Sequence, residues 1–389
     1  MVMKMRRLLT FLAFLICAQP AGAINYCDGL DKTISTAIWD FDVTCANSYS
    51  GSPAQTGVGA ESQFLRNLVV NPADANPRAK AIFVLGSSAV GDSNDPAFNG
   101  TIGDSGAYLS FDGTNDYLTW SNAPGLAVTS WLDKRHQAYA TDKVTANNSQ
   151  TTICTAFRFD QNDAVQGIFG NSATTAVAGF NLNSTAAEGA SFVINTGNGV
   201  NGRTDAVIGA AGLVDGTDYI LCETRDSDDL TWKLSLNSDT FALSGTSTAL
   251  TTFTQSTFTS VAGATNSIVF AAGDPVANGM APGDVCVLAG TSFNNTYTIS
   301  AFGGVSNRTL TVSPDPGIVG ADTSFSWACH FNYRATTGFF TWGAANGSAS
   351  FPVAAATRFY GIYAFQGILS NAEVAAVRDV IQARHGRAY

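Results

Sequence analysis

The stretch YLSFDGTNDYLTW, residues 108–120, contains the turn from which the fold can be worked out. Aromatic and β-branched residues, which favour strands, flank a polar centre, and Asp112-Gly113 is typical of a tight turn. The stretch predicts strand, turn, strand, and we interpret it as a hairpin corner. Its oxygen-bearing side chains, on Asp112, Thr114, Asn115 and Asp116, could instead hold a cation or a sugar.

The composition of the whole chain is typical of short strands joined by turns. Only 13% of the 389 residues are charged, and 38 are Gly. This mixture does not support long surface helices, which are rich in Glu, Lys and Arg. The net charge of -10 argues against a nucleic-acid backbone or an anionic membrane as a partner.

The first 23 residues have the pattern of a secretory signal peptide. A basic start, MVMKMRR, precedes an apolar run at residues 8–18 and the small-residue site Ala21-Gly22-Ala23. The run is too short to span a membrane, and no later apolar run is long enough to do so. We expect cleavage after Ala23 and a mature chain that is secreted. The alternative is a buried N-terminal strand or helix.

Six cysteines remain after cleavage, and an even number in an exported chain suggests disulfides. Two pairs are favoured by their local setting, and the third is left by elimination: Cys27 with Cys45, Cys154 with Cys222, and Cys286 with Cys329. The alternative is that they are buried free thiols, since Cys also behaves as a small apolar residue.

The spacing of strand-like runs divides the chain. Runs about ten residues apart, with turn signals between them, predict a sandwich or barrel over 61–250. A leading segment, 24–60, precedes it, and a short helix is expected within 61–69. Residues 251–329 contain their own strand-like runs and predict an inserted β module, after which 330–389 closes the first domain.

The clearest helix lies near the end of the chain. Ser370 followed three residues later by Glu373 is a capping box, and Gly386 is a typical helix stop. The apolar stripe is formed by Val374, Val377 and Ile381. A helix with one apolar stripe needs a partner surface, so we expect it to pack on one face of the sandwich.

Three runs, at residues 67–86, 91–118 and 360–386, carry a family resemblance. They resemble the concanavalin A-like lectin/glucanase (LamG-like) jelly roll, most closely the version in bacteriophage and prophage structural proteins. The resemblance covers about 61–250 and 330–389. It implies an all-β, concanavalin A-like jelly-roll sandwich with an inserted small β domain and a short C-terminal helix.

The inserted segment has a resemblance of its own. GMAPGDVCVLAG at 279–290, NNTYTIS at 294–300 and RTLTV at 308–312 are similar to a small β module of phage tail and virion proteins. The Gly that usually precedes the Tyr-Thr pair is missing, because Asn295 is followed directly by Thr296. The resemblance implies a β module but no particular partner, and other virion or surface proteins remain candidates.

Glucanases of the family resemble one another in an E-x-D-x-x-E strand, which brings two carboxylates to one face. This chain has four Glu residues, far apart in sequence: Glu61, Glu188, Glu223 and Glu373. Glu223 and Asp226 are three residues apart, which places them on opposite faces of a strand. We therefore predict no catalytic residues and a protein that is not an enzyme.

Two kinds of ligand site remain as candidates. Exposed aromatic rings could stack on sugars, and the candidates are Trp120, Trp131, Trp232 and Trp342. Carboxylate-rich turns could bind calcium, as lectins and laminin-G-like modules of this fold often do, and the candidates are Asp92, Asn94, Asp95, Asp112, Asn115 and Asp116. The alternative is that these turn residues cap their own backbone.

Together these features favour a non-catalytic carbohydrate-binding or adhesion module. Its setting would be a secreted or virion-surface protein, of phage tail or fibre type, with a glycan or cell-surface polysaccharide as partner. A purely structural virion or cell-surface component without a glycan ligand is the alternative. A glycan-cleaving enzyme of the glucanase type is the third hypothesis.

Overall fold

The computed structural model describes residues 27–45, 64–66, 68–69, 81–85, 96–101, 103–122, 151–160, 166–170, 179–184, 192–197, 202–208, 213–226, 231–246, 251–253, 261–278, 280, 282, 284–290, 294–330, 341–344 and 353–389. Several predictions fall outside these residues and stay predictions: the signal peptide at 1–23 and the candidate ligands Asp92, Asn94, Asp95 and Trp131.

The strands in chain order are β1 (Ala37–Asp42), β2 (Phe64–Arg66), β3 (Ala81–Leu85), β4 (Ala97–Asn99), β5 (Tyr108–Ser110), β6 (Leu118–Asn122), β7 (Thr151–Arg158), β8 (Gln166–Gly170), β9 (Gly179–Ser184), β10 (Phe192–Gly197), β11 (Gly202–Ile208), β12 (Asp218–Asp226), β13 (Thr231–Leu236), β14 (Leu243–Thr246), β15 (Thr251–Phe253), β16 (Val261–Ala264), β17 (Ser267–Phe270), β18 (Val285–Gly290), β19 (Asn294–Gly303), β20 (Thr309–Ser313), β21 (Val319–Asp322), β22 (Phe325–His330), β23 (Thr341–Trp342) and β24 (Arg358–Gln366). The α-helix α1 spans Asn371–His385, and short 3-10 helices span Leu30–Lys32 and Val305–Asn307.

Two antiparallel sheets form the sandwich. The first has the order β14-β13-β12-β7-β24-β5-β4, with β1 also paired to β24, and the second has the order β11-β10-β9-β8-β23-β6-β3-β2. Apolar side chains from both sheets meet in one core, among them Trp39, Phe157, Phe169, Trp232 and Trp342. The alternation of side chains along each strand produces this inner layer.

A third antiparallel sheet, β15-β22-β18-β19-β20-β17-β16-β21, has a core of its own. It comprises residues 251–330, between β14 of the first sheet and β23 of the second. The predicted fold class, an all-β sandwich with an inserted β unit and a C-terminal helix, is confirmed. The boundaries proposed at 250/251 and 329/330 stay predictions, as does the phage-type variant of the family.

Helix α1 confirms its sequence signature. The Ser370 side chain accepts a hydrogen bond from the Glu373 backbone N–H, and the Glu373 side chain accepts one from the Ser370 backbone N–H, which completes the capping box. Gly386 ends the helix in the left-handed conformation. The apolar stripe packs on the outward face of the first sheet, against Tyr363 and Phe365. This face is the predicted partner surface.

The stretch 108–120 is a corner between the two sheets and not a hairpin. β5 pairs with β4 and β24 in the first sheet, whereas β6 pairs with β3 and β23 in the second. The two predicted strands form, but their predicted pairing is wrong. Leu109, Phe111 and Leu118 all enter the core between the sheets, so the turn carries the chain from one side of that core to the other.

The helix expected within 61–69 is also wrong for the described residues. Phe64–Arg66 is strand β2, paired with residues 82–84 of β3. Leu65 enters the sandwich core and is 1% exposed. A few apolar residues close together fit either a strand or a helix. Here they form a strand because they can pair with the edge of β3.

Disulfides join Cys27 to Cys45 and Cys154 to Cys222, as the sequence predicted. The second links β7 to β12, where the two residues are direct cross-strand partners. Cys286 is also disulfide-bonded, and Cys329 lies directly opposite it in β22. Disulfides of this kind are typical of proteins that fold in an oxidising compartment.

Candidate functional site

The outward face of the first sheet changes character beyond the end of α1. Under the helix it is apolar, where buried side chains such as Ile220 and Phe365 contact the helix. Past the helix, the ends of five strands carry polar side chains. The inner neighbours of these polar residues, Leu109, Phe157 and Phe359, enter the sandwich core, so strand alternation directs the polar ones outward.

Four of these polar residues form a continuous row of cross-strand partners, which we name the arginine row: Asp218, Arg158, Arg358 and Ser110. Asp218 of β12 is opposite Arg158 of β7, Arg158 is opposite Arg358 of β24, and Arg358 is opposite Ser110 of β5. Direct partners on one face of an antiparallel pair have Cβ atoms about 4.5–5.5 Å apart. The side chains of the row are therefore immediate neighbours.

Two arginines at this end of the sheet lie over tyrosine rings. The Arg358 guanidinium is 4.4 Å from the centroid of the Tyr108 ring, and the Arg387 guanidinium is 4.2 Å from that of Tyr360. A guanidinium stacked on an aromatic face is attracted by the ring and restricted in orientation. Each tyrosine therefore helps to hold the guanidinium above it in place.

Asp218 is the carboxylate of the row, and it already has several partners. Its Oδ1 accepts a 2.8 Å hydrogen bond from the Tyr360 hydroxyl and lies 3.2 Å from Arg158 Nε, while its Oδ2 lies 3.6 Å from Arg387. Burial, followed by the hydrogen bond to Asp218, raises the pKa of Tyr360. The phenol therefore stays protonated and donates to Asp218.

Arg358 contacts no carboxylate among the described residues, and its charge is accompanied only by the Tyr108 ring. Asp218 is shared by the other two arginines of this surface, Arg158 and Arg387. The row is also open to solvent: the side chains of Arg158, Arg387 and Asp218 are 32%, 20% and 16% exposed.

At the other end of the row, two small polar side chains supply neutral hydrogen-bonding groups. Asn99 Nδ2 donates to Ser110 Oγ at 2.7 Å and to the Ala97 carbonyl at 2.9 Å. Both Asn99 and Ser110 are half-buried. Paired with each other and partly exposed, they retain capacity to contact the hydroxyl groups of a ligand.

A buried ionic network fixes the end of α1 beside this surface. Arg384 contacts both oxygens of Asp40, at 2.6 and 2.7 Å, and Asp42 Oδ2 at 3.1 Å. His385 Nε2 is 3.3 Å from the same Asp42 oxygen, and Tyr363 donates to it at 2.8 Å. The network ties the last turn of the helix to β1 and β24, and so positions Arg387 two residues further on.

The electrostatics of the network centre on Asp42. Burial acts to raise its pKa, but the neighbouring His385 and Arg384 and a hydrogen bond from Thr44 outweigh burial and hold the pKa well below its ordinary value. Asp42 is therefore ionised throughout the range in which most proteins fold. Fully buried and bonded on all sides, these groups support the site and do not meet a ligand.

Two further carboxylates lie close to the end of the row. Asp160 follows β7 and Asp215 precedes β12, and the turns that carry them are joined by hydrogen bonds between Phe159 and residues 216–217. Burial, followed by the nearby charge of Asp215, raises the pKa of Asp160. A pair of neighbouring acids close to the row is relevant to the enzyme hypothesis.

The tryptophans whose side chains the structure describes do not form a sugar platform. Trp232 and Trp342 are 0% exposed, in the core between the sheets. Trp342 also donates its indole N–H to Thr155 at 2.9 Å. These two assignments are wrong, because both side chains lie on the inward side of their strands. Trp120 belongs to β6, but its side chain lies outside what the structure describes.

The turn at residues 112–116 uses its carboxylates to hold its own backbone. Asp112 Oδ1 accepts from the backbone N–H of Thr114 at 2.7 Å and of Asn115 at 3.0 Å, and Asp116 Oδ2 accepts from the Asp112 N–H at 2.7 Å. Calcium takes six to eight oxygen ligands on a bent backbone. The observed hydrogen bonds are those of turn capping, and calcium binding by this turn stays a prediction.

Within the described part of the chain, no group of three or more His, Cys, Asp or Glu side chains is arranged to hold a metal ion. Over the same residues, no helix combines the length and the apolar character needed to cross a bilayer.

Sequence reasoning missed the arginine row. The signal available was that Arg158 ends one strand-like run and Arg358 begins another, each directly before a phenylalanine, in FRFD and TRFY. Alternation predicts that both side chains point away from the core. Only the structure shows that the two strands are direct neighbours, in a register that places one arginine opposite the other. The sequence could not show this, because β7 and β24 are some 200 residues apart in the chain.

Comparisons with known proteins give remote matches only. No family model and no curated protein matches the chain. Among solved structures, the CBM40 of Ruminococcus gnavus IT-sialidase bound to α2,3-sialyllactose is 14% identical, covers 69% of this chain and 95% of its own, and has a TM-score of 0.28.

Two larger proteins also match. Trypanosoma rangeli sialidase in complex with the inhibitor DANA is 8% identical with a TM-score of 0.35, covering 85% of this chain and 32% of its own. A structure described as showing that cell entry of botulinum neurotoxin type C depends on interaction with two ganglioside molecules is 6% identical with a TM-score of 0.35, covering 91% of this chain and 53% of that one. The chain spans about a third of the sialidase and about half of the toxin chain. These similarities are too distant to assign a function.

Proposed function

We propose that the protein is a non-catalytic carbohydrate-binding module that contacts its glycan at the arginine row. The observation that carries the proposal is the half-exposed polar surface beyond the end of α1. It combines flat guanidinium groups with the hydroxyl and amide groups of Ser110 and Asn99. Oriented donors of this kind on a rigid sheet suit a polyhydroxylated ligand.

The rigidity of the surface supports the same proposal. The row is built across neighbouring strands, one pair of which is joined by the Cys154–Cys222 disulfide. The buried contacts of Arg384 with Asp40 and Asp42 fix the adjoining helix end. A surface that does not reorganise on binding loses little conformational entropy, which favours recognition of a flexible saccharide.

The disulfides and the signal-like N-terminus lead us to place this module in an exported protein. A virion-surface setting, such as a phage tail or fibre, rests on the sequence resemblance alone.

The test is binding of the mature chain, residues 24–389, to a broad glycan panel. We expect saturable binding that is weakened when Tyr108→Ala removes the ring that orients Arg358. Tyr297→Phe, in the third sheet, is the matched control and should bind as the natural protein does. Absence of binding to every glycan, with an intact fold, would leave a structural component without a glycan ligand as the better account.

The nearby Asp160 and Asp215 make hydrolysis the second function to examine. We expect no release of reducing sugar from any glycan that binds. Hydrolysis that is lost in both Asp160→Asn and Asp215→Asn would contradict the non-catalytic assignment and establish a glycan-cleaving enzyme.

A further inference from the structure

We infer that the arginine row is a carboxylate-binding subsite, so that the saccharide recognised carries a sugar acid. This inference rests on the proposed glycan-binding function and specifies the class of ligand. Its partners in the chain would be Arg358 and Arg158, with Ser110 and Asn99 contacting the neighbouring hydroxyl groups.

The first argument is the placement of two like charges. Arg158 and Arg358 are direct partners on neighbouring antiparallel strands, on the outward face. Like charges in this position repel each other and destabilise a sheet. A fold with only 20 basic residues places two of them side by side. An anion bound between them would convert the repulsion into attraction.

The second argument is the balance of charge among the neighbours. Asp218 faces Arg158 directly, at 3.2 Å, and lies 3.6 Å from Arg387. Arg358 has no carboxylate partner among the described residues. Asp218 is thus shared between two arginines, and an anionic ligand would supply Arg358 with the carboxylate that it does not contact in the described part of the chain.

The third argument is geometric. The Arg358 guanidinium lies 4.4 Å from the centroid of the Tyr108 ring, and this contact restricts its movement. A planar guanidinium presents parallel N–H donors that match the two oxygens of a carboxylate. The partial burial of the row lowers the local dielectric constant, which strengthens such a contact relative to one in open water.

Because the chain as a whole is negatively charged, binding of an acidic ligand depends on a local positive site. With a net charge of -10, the protein as a whole repels anions at long range. An acidic ligand can then be held only by short-range contacts with a local positive group. We therefore expect a sugar acid to be bound through one carboxylate, with modest dependence on salt.

The experiment compares polygalacturonate with its carboxyl-reduced form by calorimetric titration of the mature chain. We expect the acidic polymer to bind at least tenfold more tightly. Arg358→Gln should remove that preference, and Arg358→Lys should weaken it, since the lysine keeps the charge but loses the paired donors. The matched control is Lys233→Gln, which removes one positive charge from β13 near the far end of β12, roughly 20 Å from Asp218. It should bind as the natural protein does.

A second readout follows the arginine Nε–H signals by NMR during addition of free galacturonate, galactose or sulfate. Movement of the Arg358 signal with galacturonate alone supports the inference. Equal movement with sulfate would overturn the assignment to a sugar acid, because it would indicate a general anion site.

Failure of the carboxylate subsite and failure of the proposed glycan-binding function give different results. Equal affinity for the acidic and the carboxyl-reduced polymer overturns the inference and leaves the glycan-binding function standing. Binding of galacturonate at Arg358 without binding of any polymer supports the subsite but contradicts the proposed function. Thermal unfolding of each variant checks that the fold is intact.

Discussion

At the scale of single residues, arginine serves two different purposes in this protein. Arg384 is fully buried and contacts Asp40 and Asp42, so its charge is satisfied inside the structure. Arg358 is half-exposed and lies on Tyr108, with no acid beside it among the described residues. The first arrangement is expected of a structural contact, and the second of a group that meets a ligand.

Removal of Arg384 tests the structural role of the network. Arg384→Met leaves Asp40 and Asp42 buried without their cation, so we expect the free energy of unfolding to fall by about 3–5 kcal/mol. Arg378→Met is the control on the same helix: the Arg378 side chain is 14% exposed, but its partner Asp239 is 55% exposed and stays hydrated without it. We expect it to cost less than about 1 kcal/mol. Urea denaturation measures both, and equal costs would contradict a buried ionic network.

Asp42 should make stability depend on pH in the acid range. Its pKa in the folded protein is held below the unfolded value by His385 and Arg384, against the opposing effect of burial. The stabilisation is therefore complete above about pH 5 and is lost progressively as the pH falls further. In Asp42→Asn we expect the free energy of unfolding to decline less steeply between about pH 5 and 3 than in the natural protein.

The exposed Asp239→Asn is the control for this measurement, and its slope should match that of the natural protein. A slope for Asp42→Asn that is as steep as that of the natural protein would show that Asp42 is not the group responsible.

The carboxylate turn at residues 112–116 gives a prediction about calcium. Because Asp112 and Asp116 already accept hydrogen bonds from the turn's own backbone, we expect chelator to leave both glycan binding and the unfolding temperature unchanged. A fall in either quantity that is reversed by calcium would restore the calcium hypothesis, for this turn or for the one at residues 92–95.

At the scale of elements, the helix was predictable from sequence and the pairing of the strands was not. Ser370, Glu373 and Gly386 specify where α1 begins and ends through contacts within a few residues. The stretch 108–120 shows the opposite case. Its two strands are visible in the residue pattern, but their assignment to different sheets depends on partners more than 200 residues away for β5, in β24.

In the candidate site, too, local features were predictable from sequence and features that depend on strand pairing were not. The turn capping by Asp112 was foreseen as an alternative because it is local. The arginine row was not, because it depends on the register between β7, β12 and β24. The burial of Trp232 and Trp342 likewise depends on which side of each strand faces the core, and a one-residue change of register would reverse it.

The helix cap provides a test at this scale. Ser370→Ala removes the side-chain acceptor for the Glu373 N–H, and we expect it to cost about 0.5–2 kcal/mol in the free energy of unfolding. Ser370→Asp retains a capping oxygen and should be nearly neutral. Chemical denaturation distinguishes the two, and a cost for Ser370→Asp equal to that of the alanine variant would contradict the cap.

At the scale of the whole molecule, the sandwich uses its faces differently. The inner faces of both sheets form the core, and the outward face of the first sheet is divided between α1 and the arginine row. The third sheet has a separate core. The surface proposed for binding therefore lies on the sheet in which β7 and β24 pair along eight positions.

The most direct test of the account is a crystal structure of the mature chain grown with trigalacturonate. We predict that one carboxylate of the sugar lies within hydrogen-bonding distance of the Arg358 guanidinium, with sugar hydroxyl groups beside Ser110 and Asn99. A trisaccharide bound on the third sheet or on the second sheet of the sandwich, with the arginine row unoccupied, would contradict it.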